Sequence, residues 1–278
     1  MKKALIFDCD GVLADTERDG HLVAFNQMWR EQGINWQWSL EQYAEKVKIG
    51  GGKERMFSLG NDRDFRAVYP VPESESAWWN IVMGWHKRKT EIYKQAIASG
   101  AIPGRPGVKR LAQTALANGW LLAVCSTSAI VSVEAVLRHV MGSELTGQFA
   151  GIFAGDMVKA KKPAPDVYNL AVETLDLDPT RCIVIEDTRN GLLAATAAGM
   201  TCIVTYNELS KHEDFEEAAL VLSDFGEPGN EAIAIGQNQT NVKPQGYFTV
   251  DNLERVLCNS RASISTMRSQ MPSHTLET

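Results

Sequence analysis

The sequence predicts an α/β fold: a Rossmann-like parallel sheet core flanked by helices, with a helical cap domain inserted after the first strand. Three observations carry that expectation. Short apolar, β-branched runs recur along the chain. Helix-like segments separate most of them. One block, residues 16–100, is rich in tryptophan and charge and contains no convincing buried strand. Apolar runs on both flanks of helices imply strands buried on both faces, hence a parallel sheet between helical layers.

The first run is ALIF at 4–7. The block that follows reads mostly as helix, over 22–32, 39–47 and 75–98, with Trp78, Trp79 and Trp85 packing its interior. The stretch GAIPGRPG at 100–107 reads as the return linker, its Pro and Gly limiting and directing the bend. A helix over 106–118 leads to the run WLLAVC at 120–125, and a helix over 130–141 to a weaker run, AGIFA, at 150–154. A helix over 166–175 precedes CIVI at 182–185, a helix over 189–199 precedes CIVT at 202–205, and ALVL follows at 219–222. The expected division is therefore a discontinuous core, 1–15 and 101–258, and a cap, 16–100. From 259 to 278 the chain is Ser-rich with little apolar periodicity and is expected to be disordered.

At 278 residues there is ample material for a core. A net charge of −6 argues against a nucleic-acid or acidic-membrane partner, which would require clustered excess Lys and Arg. No apolar run approaches the roughly 18 residues of a membrane span. The opening MKK leads into a strand pattern rather than a signal peptide. Of the five cysteines, Cys9, Cys125, Cys182 and Cys202 lie in strand-like runs, which suits packed thiols in a reducing cytoplasm better than disulfides or a zinc cluster. Nothing in the pattern bears on oligomeric state.

In an open parallel sheet, functional groups collect at the carboxyl ends of the strands. The first strand ends in Asp8-Cys9-Asp10-Gly11, the next in Ser126-Thr127-Ser128. The loop after the weak run carries Lys159, Lys161 and Lys162 before PAPD, and the following strand ends in Glu186-Asp187-Thr188. Taken singly, Asp187 or Ser126 would serve as a helix cap and Lys162 as a solvated loop charge. Asp8 and Asp10 are different. Side chains at i and i+2 of a strand share a face, so two like charges crowd at a buried tip, a cost relieved by a cation between them.

Together these groups suit phosphoryl transfer. A magnesium ion prefers oxygen ligands, here the carboxylates of Asp8 and Asp187 with the backbone carbonyl of Asp10. A carboxylate such as Asp8 can attack phosphorus, and Lys162 and the metal offset the charge that repels the attack. Ser126, at a helix N-terminus, is placed to hydrogen-bond the phosphoryl oxygens, with Thr127 beside it. Asp10 is the natural general acid and base.

The segments DCDGVLADTE, the strand-end Ser126, KKPAPD and IEDTRNG resemble the four ordered motifs of the haloacid dehalogenase superfamily, over roughly residues 3–205. The resemblance implies Asp8 as nucleophile, Asp10 as acid/base, Ser126 and Lys162 as phosphate-binding, and Glu186 and Asp187 as metal-binding acids. A cap after strand one resembles the β-phosphoglucomutase and phosphoglycolate phosphatase subgroup. True dehalogenases lack the second aspartate, so Asp10 argues against carbon–halogen cleavage. DTERDGH, KIGGGKERM, HKRKTEIY, VCSTS, KAKKPAPDVYNLA and AAGMTCIVT are similar to CbbY-type proteins, phosphatases of xylulose 1,5-bisphosphate. The resemblance implies a Mg2+-dependent phosphatase of a small sugar phosphate. The segment 129–149 and the chain past about 207 do not obviously follow that pattern, and SAIVSVEAV lacks the Asn-Glu-Lys that often trails the serine.

In the cap, Gly50, Gly51 and Gly52 with Lys48, Lys53 and Arg55 offer backbone N–H groups and cations for a second phosphate. This is not a P-loop, because Lys53 is followed by Glu54; the alternative is a flexible inter-helix loop. Lys89 matches a cap lysine that approaches the active site in mutase relatives, or is a solvated helix charge. The enzymatic rival is a phosphosugar mutase, whose motif resembles D-T-x-x-x-H. Here that position is Gly20 and His21 comes one later, a rotation of about 100° on an α-helix. His21 is thus expected to point elsewhere, with Glu17 and His21 available to grip substrate hydroxyls. A degenerate binding module would have lost one of Asp8, Asp10, Lys162 or Asp187, and all are present. A receiver domain is disfavoured by the large cap and by Asp10.

Overall fold

Strand β1 (Lys3–Phe7) has Ala4 to Phe7 wholly buried, as a strand covered on both faces requires. The computed structural model describes residues 2–49, 51–230 and 233–270, the last ten by backbone alone. The chain divides into two compact units, one ending at Ala14 and resuming at Gly104, the other running from Asp15 to Pro103.

The second unit is helical. A π-helix (Thr16–Leu22) runs into α1 (Val23–Glu31), followed by α2 (Leu40–Lys46), α3 (Gly52–Phe57), α4 (Arg63–Val68) and α5 (Glu75–Ala98). The start of α2 is set by a capping box. Ser39 Oγ accepts from the Gln42 N–H at 3.2 Å, and the Gln42 side chain accepts from the Ser39 N–H at 2.9 Å. In α5, Trp78, Val82, Trp85, Lys89, Ile92 and Tyr93 are buried at three- and four-residue spacing, one inward stripe. The centre is aromatic: Phe25, Trp29, Trp38 and Tyr43 pack together, with Trp29 and Trp38 edge-to-face at 4.6 Å.

The first unit resumes with α6 (Val108–Ala117), β2 (Trp120–Cys125), α7 (Ile130–Met141), the short α8 (Ser143–Thr146) and β3 (Gly151–Phe153). Then come α9 (Asp166–Leu175), β4 (Cys182–Glu186), α10 (Arg189–Ala197), β5 (Thr201–Thr205), β6 (Leu220–Leu222), β7 (Ile235–Asn238) and α11 (Val250–Gln270). The seven strands lie in the order β3-β2-β1-β4-β5-β6-β7. Pairing is parallel from β3 to β6. The order reverses beside β1, which makes the crevice between the tips of β1 and β4 the topological switch point. Register fixes what meets there. Phe7 lies opposite Val124 on one side and Ile185 on the other, so the residues that follow each strand emerge side by side.

The expected parallel sheet carries one antiparallel addition: at the edge, β7 pairs with β6. Its sequence, IGQN, is mostly exposed, because an edge strand need not bury both faces and so shows no apolar run. The chain from 259, expected to be disordered, has helical backbone to Gln270. Extending a helix already nucleated at Val250 adds one hydrogen bond per residue without a second nucleation cost. Residues 271–278 lie outside the described residues.

Because Trp29 is wholly buried among three other rings, Trp29→Ala is expected to destabilise the helical unit by about 3–5 kcal/mol. Denaturant unfolding followed by tryptophan fluorescence measures this, and a loss below about 1 kcal/mol would show that the cluster collapses to fill the gap.

Candidate active site

The N–H of Asp8 donates to the Ile185 carbonyl at 2.9 Å, which pins the tip of β1 to β4. Into this tip reaches Lys162, its side chain 5% exposed. Its ammonium donates to Asp8 Oδ1 at 2.5 Å, Glu186 Oε1 at 2.6 Å and the Cys125 carbonyl at 2.8 Å, using all three donors. Tyr168, on α9, donates from its hydroxyl to the same Glu186 oxygen at 2.5 Å, and the ammonium sits 5.0 Å from its ring centre. Burial disfavours a charged lysine here, but Asp8 and Glu186 outweigh it and hold Lys162 protonated above the usual lysine range. The bland reading of Lys162 as a solvated loop charge is thereby set aside.

Asp8, Glu186 and Asp187 each offer an oxygen, and these atoms lie within 4.8 Å of one another. Burial, joined by the repulsion of Glu186 and Asp10, pushes Asp8 up to about 8 despite Lys162. Burial, with repulsion from Asp8 and Glu186, also raises Asp187 well above the usual carboxylate range. A buried, oxygen-only set with excess negative charge fits a hard divalent cation. Two glycines make room for these carboxylates. A Cβ on Gly11, whose φ is +85°, would lie 1.9 Å from Asp187 Oδ2, and one on Gly191 would lie 1.9 Å from the Glu186 carboxyl.

The Asp10 carboxylate is not in this acidic group. It turns to Ser128, whose hydroxyl donates to Asp10 Oδ2 at 2.5 Å. Ser128 was legible only as part of a hydroxyl cluster; its bond to Asp10 required the register of β1 against β2. Ser126 is buried, its N–H donating to the Phe153 carbonyl at 2.9 Å and its Oγ accepting from the Ser128 N–H at 3.1 Å. Thr127 is half-buried, its backbone against Gly155, where a Cβ would meet the Thr127 carbonyl at 2.1 Å. A residue that sequence reasoning missed is Asn207, whose side-chain amide donates to Asp187 Oδ2 at 2.8 Å.

The helical unit holds a polar cluster of its own. Arg55 donates to Glu17 Oε2 at 3.2 Å and to the Tyr43 hydroxyl at 2.8 Å, and Tyr43 in turn donates to Glu17 at 2.5 Å. Burial opposes ionisation of Glu17, yet His21 and Arg55, with the Tyr43 hydrogen bond, keep its carboxyl below the usual range. Lys89 is 5% exposed, over the rings of Phe25 at 4.5 Å and Tyr93 at 5.3 Å, so it is not a solvated helix charge. Its Nζ lies 2.8 Å from His21 Nδ1. Burial and the Lys89 charge lower His21 to about 3, so its ring is neutral. An ammonium has no lone pair to offer, so Nδ1 accepts and the ring proton resides on Nε2. The rotation expected of His21 assumed an α-helix. Thr16–Leu22 is a π-helix, in which residues five apart share a face, and the extra residue is taken up within the turn. The one-residue offset is therefore no argument against a mutase.

The cationic loop is not gathered into one cluster. Lys48 is exposed and paired with Glu45 at 2.6 Å, while Arg55 also bonds the Ile49 carbonyl at 3.0 Å, turned toward Glu17. Gly51 precedes α3 with φ +93°, Gly52 opens it, and Lys53 is half-buried upon it. Gly50 lies outside the described residues.

A haloacid dehalogenase-like hydrolase family model matches residues 2–199. The chain belongs to that family, and it is an enzyme of the phosphoric monoester hydrolase class. Within the family it falls among the CbbY-like proteins. A CBBY-like protein of Arabidopsis thaliana is 46% identical over 231 residues, 83% of this chain and 72% of that protein. Protein CbbY of Cereibacter sphaeroides is 39% identical over 230 residues, 82% of this chain and 95% of that one. The crystal structure of CbbY from Rhodobacter sphaeroides with phosphate aligns at a TM-score of 0.66 and 38% identity, covering 82% of this chain and 97% of that one. A mutant of the same protein bound to xylulose 1,5-bisphosphate aligns equally well, with a TM-score of 0.66. Among the described residues no helix is long and apolar enough to cross a membrane. Cys9, Cys125, Cys182 and Cys202 are free and buried, and Cys258 is free and exposed.

A Cβ on Gly20 would lie 2.7 Å from both Tyr93 and Ile102, in the turn that carries His21. Gly20→Ala is thus expected to cost about 1–3 kcal/mol of stability in denaturant unfolding. Unchanged stability would show that the π-turn has slack.

Proposed function

We propose that the protein is a Mg2+-dependent phosphatase that removes phosphate from a small sugar phosphate through a phosphoaspartate on Asp8, with xylulose 1,5-bisphosphate the favoured substrate. The observation that carries this reading is the Asp8 carboxylate, buried at a strand tip with one oxygen held by Lys162 and two further acids beside it. Support for the substrate comes from the relatives: a CbbY 38% identical to this chain has been crystallised with that bisphosphate. Free buried thiols and the absence of a membrane-crossing helix among the described residues support a cytoplasmic enzyme.

In this reading Asp8 attacks phosphorus with its Oδ2, the ester P–O bond breaks, and Asp10 gives a proton to the leaving sugar oxygen. Asp10 then takes a proton from water as that water attacks the acyl phosphate, releasing inorganic phosphate and restoring Asp8. Ser126 and Thr127 donate to the phosphoryl oxygens, and Lys162 offsets their charge. Glu186, bonded to Lys162 and Tyr168, fixes the ammonium and stands beside the cation site. Asp8, Asp187 and the Asp10 carbonyl would hold Mg2+, which supplies charge neutralisation at the transferring phosphoryl group. In the helical unit, Glu17, His21, Arg55 and Lys89 are assigned to sugar hydroxyls, His21 donating through Nε2, and Gly51, Gly52 and Lys53 to the second phosphate. Lys48, exposed and paired with Glu45, is assigned with them to the second phosphate.

The test is phosphate release across xylulose 1,5-bisphosphate, ribulose 1,5-bisphosphate, fructose 1,6-bisphosphate and β-glucose 1-phosphate, with Mg2+ and after chelation. The expected outcome is strong preference for the xylulose compound, loss on chelation with recovery on added Mg2+, and a drop in kcat of roughly 10⁴-fold or more in Asp8→Asn. Turnover retained by Asp8→Asn would sink the nucleophile. Conversion of β-glucose 1-phosphate to the 6-phosphate without net release would make the enzyme a mutase.

A further inference from the structure

We propose that Asn207 aims Asp187 at the cation, a positioning role that rests on the metal-dependent reading above. Asn207 lies just beyond β5, and the orientation of its amide is settled by its surroundings. Its Oδ1 accepts from the N–H groups of Leu209 at 2.8 Å and Ser210 at 3.2 Å, while its own N–H donates to Ser210 Oγ at 3.1 Å. With the carbonyl end occupied by two backbone donors, the NH2 end must face the other way. It meets Asp187 Oδ2 at 2.8 Å.

The opposite wall is Gly11. A Cβ there would lie 1.9 Å from Asp187 Oδ2 and 2.9 Å from Asn207 Nδ2, so Oδ2 is enclosed between the Gly11 backbone and the Asn207 amide. Oδ1 is then the oxygen presented to a cation. A lysine in place of Asn207 would also orient the carboxylate, but would cancel the charge that attracts the metal. A neutral amide orients without cancelling. Both walls are tied by one side chain. Arg105 donates to the Gly11 carbonyl at 2.7 Å and to the Tyr206 carbonyl, next to Asn207, at 2.7 Å, and bonds the Ser223 carbonyl as well.

The experiment is Mn2+ binding, measured by electron paramagnetic resonance, to the wild type, Asn207→Ser and Asp187→Asn. Serine keeps a hydroxyl to accept from the turn but has no amide donor; Asn207→Thr serves the same purpose if serine fails to fold. Asn207→Ser is expected to bind Mn2+ about 10–100-fold more weakly, with a metal-free melting temperature like that of the wild type. Its phosphate release should recover at saturating Mg2+, which a merely structural defect would not allow. Equal Mn2+ affinity in Asn207→Ser and wild type, with weakened binding in Asp187→Asn, would overturn the role of Asn207 and leave the metal reading standing. Binding indifferent to Asp187→Asn would overturn both.

Discussion

Asp8, Glu186 and Asp187 are buried together around the ammonium of Lys162, and the rest of the site follows from that imbalance of charge. Removing one partner from a buried ion pair typically costs about 3–5 kcal/mol, several times the worth of an exposed pair. Lys162 is accordingly saturated with three acceptors, and Tyr168 satisfies the acid behind it. Two acids share one ammonium, and the third is met by a neutral amide. The excess that remains is what a divalent cation, or the phosphoryl chemistry it assists, would use.

The sheet meets this constraint by register. Parallel pairing of β1 with both β2 and β4 brings Asp8, Ser126 and Glu186 out of neighbouring strand ends at the switch point. Close approach is then possible only because glycines stand where side chains would collide, Gly11 against Asp187 and Gly191 against Glu186. The helical unit solves a similar problem differently. Lys89 occupies the buried stripe of α5, and it is tolerated there by a neutral His21 acceptor and two aromatic faces.

Much of this was legible in the sequence, and the exceptions have physical causes. Strands buried on both faces announce themselves as apolar runs: WLLAVC coincides with β2, and CIVI falls within β4. Acids and lysine at strand ends were legible because the sheet's topology dictates where strand ends meet. The edge strand β7 was not, since exposure removes the apolar signal. Lys89 was half legible: the resemblance to mutase relatives pointed it toward the site, but its type argued for solvent, and the structure buries it. The π-turn at Thr16–Leu22 was hidden, because an inserted residue looks the same in sequence whether it rotates the helix or is absorbed by it. Asn207 carried no signal at all, since its contact with Asp187 spans twenty residues and depends on β4 lying beside β5.

In the proposed reading Asp8 is the phosphoryl acceptor, and the residues around it charge, aim or neutralise that one carboxylate. The most direct measurement is a single-turnover quench of the unaltered enzyme, in which both roles of Asp10 are intact. Mixtures with xylulose 1,5-bisphosphate and Mg2+ are quenched in acid before the turnover is complete and digested, and the peptide spanning β1 and its tip is sequenced by mass spectrometry. The expected result is a phosphoryl group on Asp8. A phosphoryl group on any other residue, or substrate consumed in a burst while Asp8 stays unmodified, would contradict it.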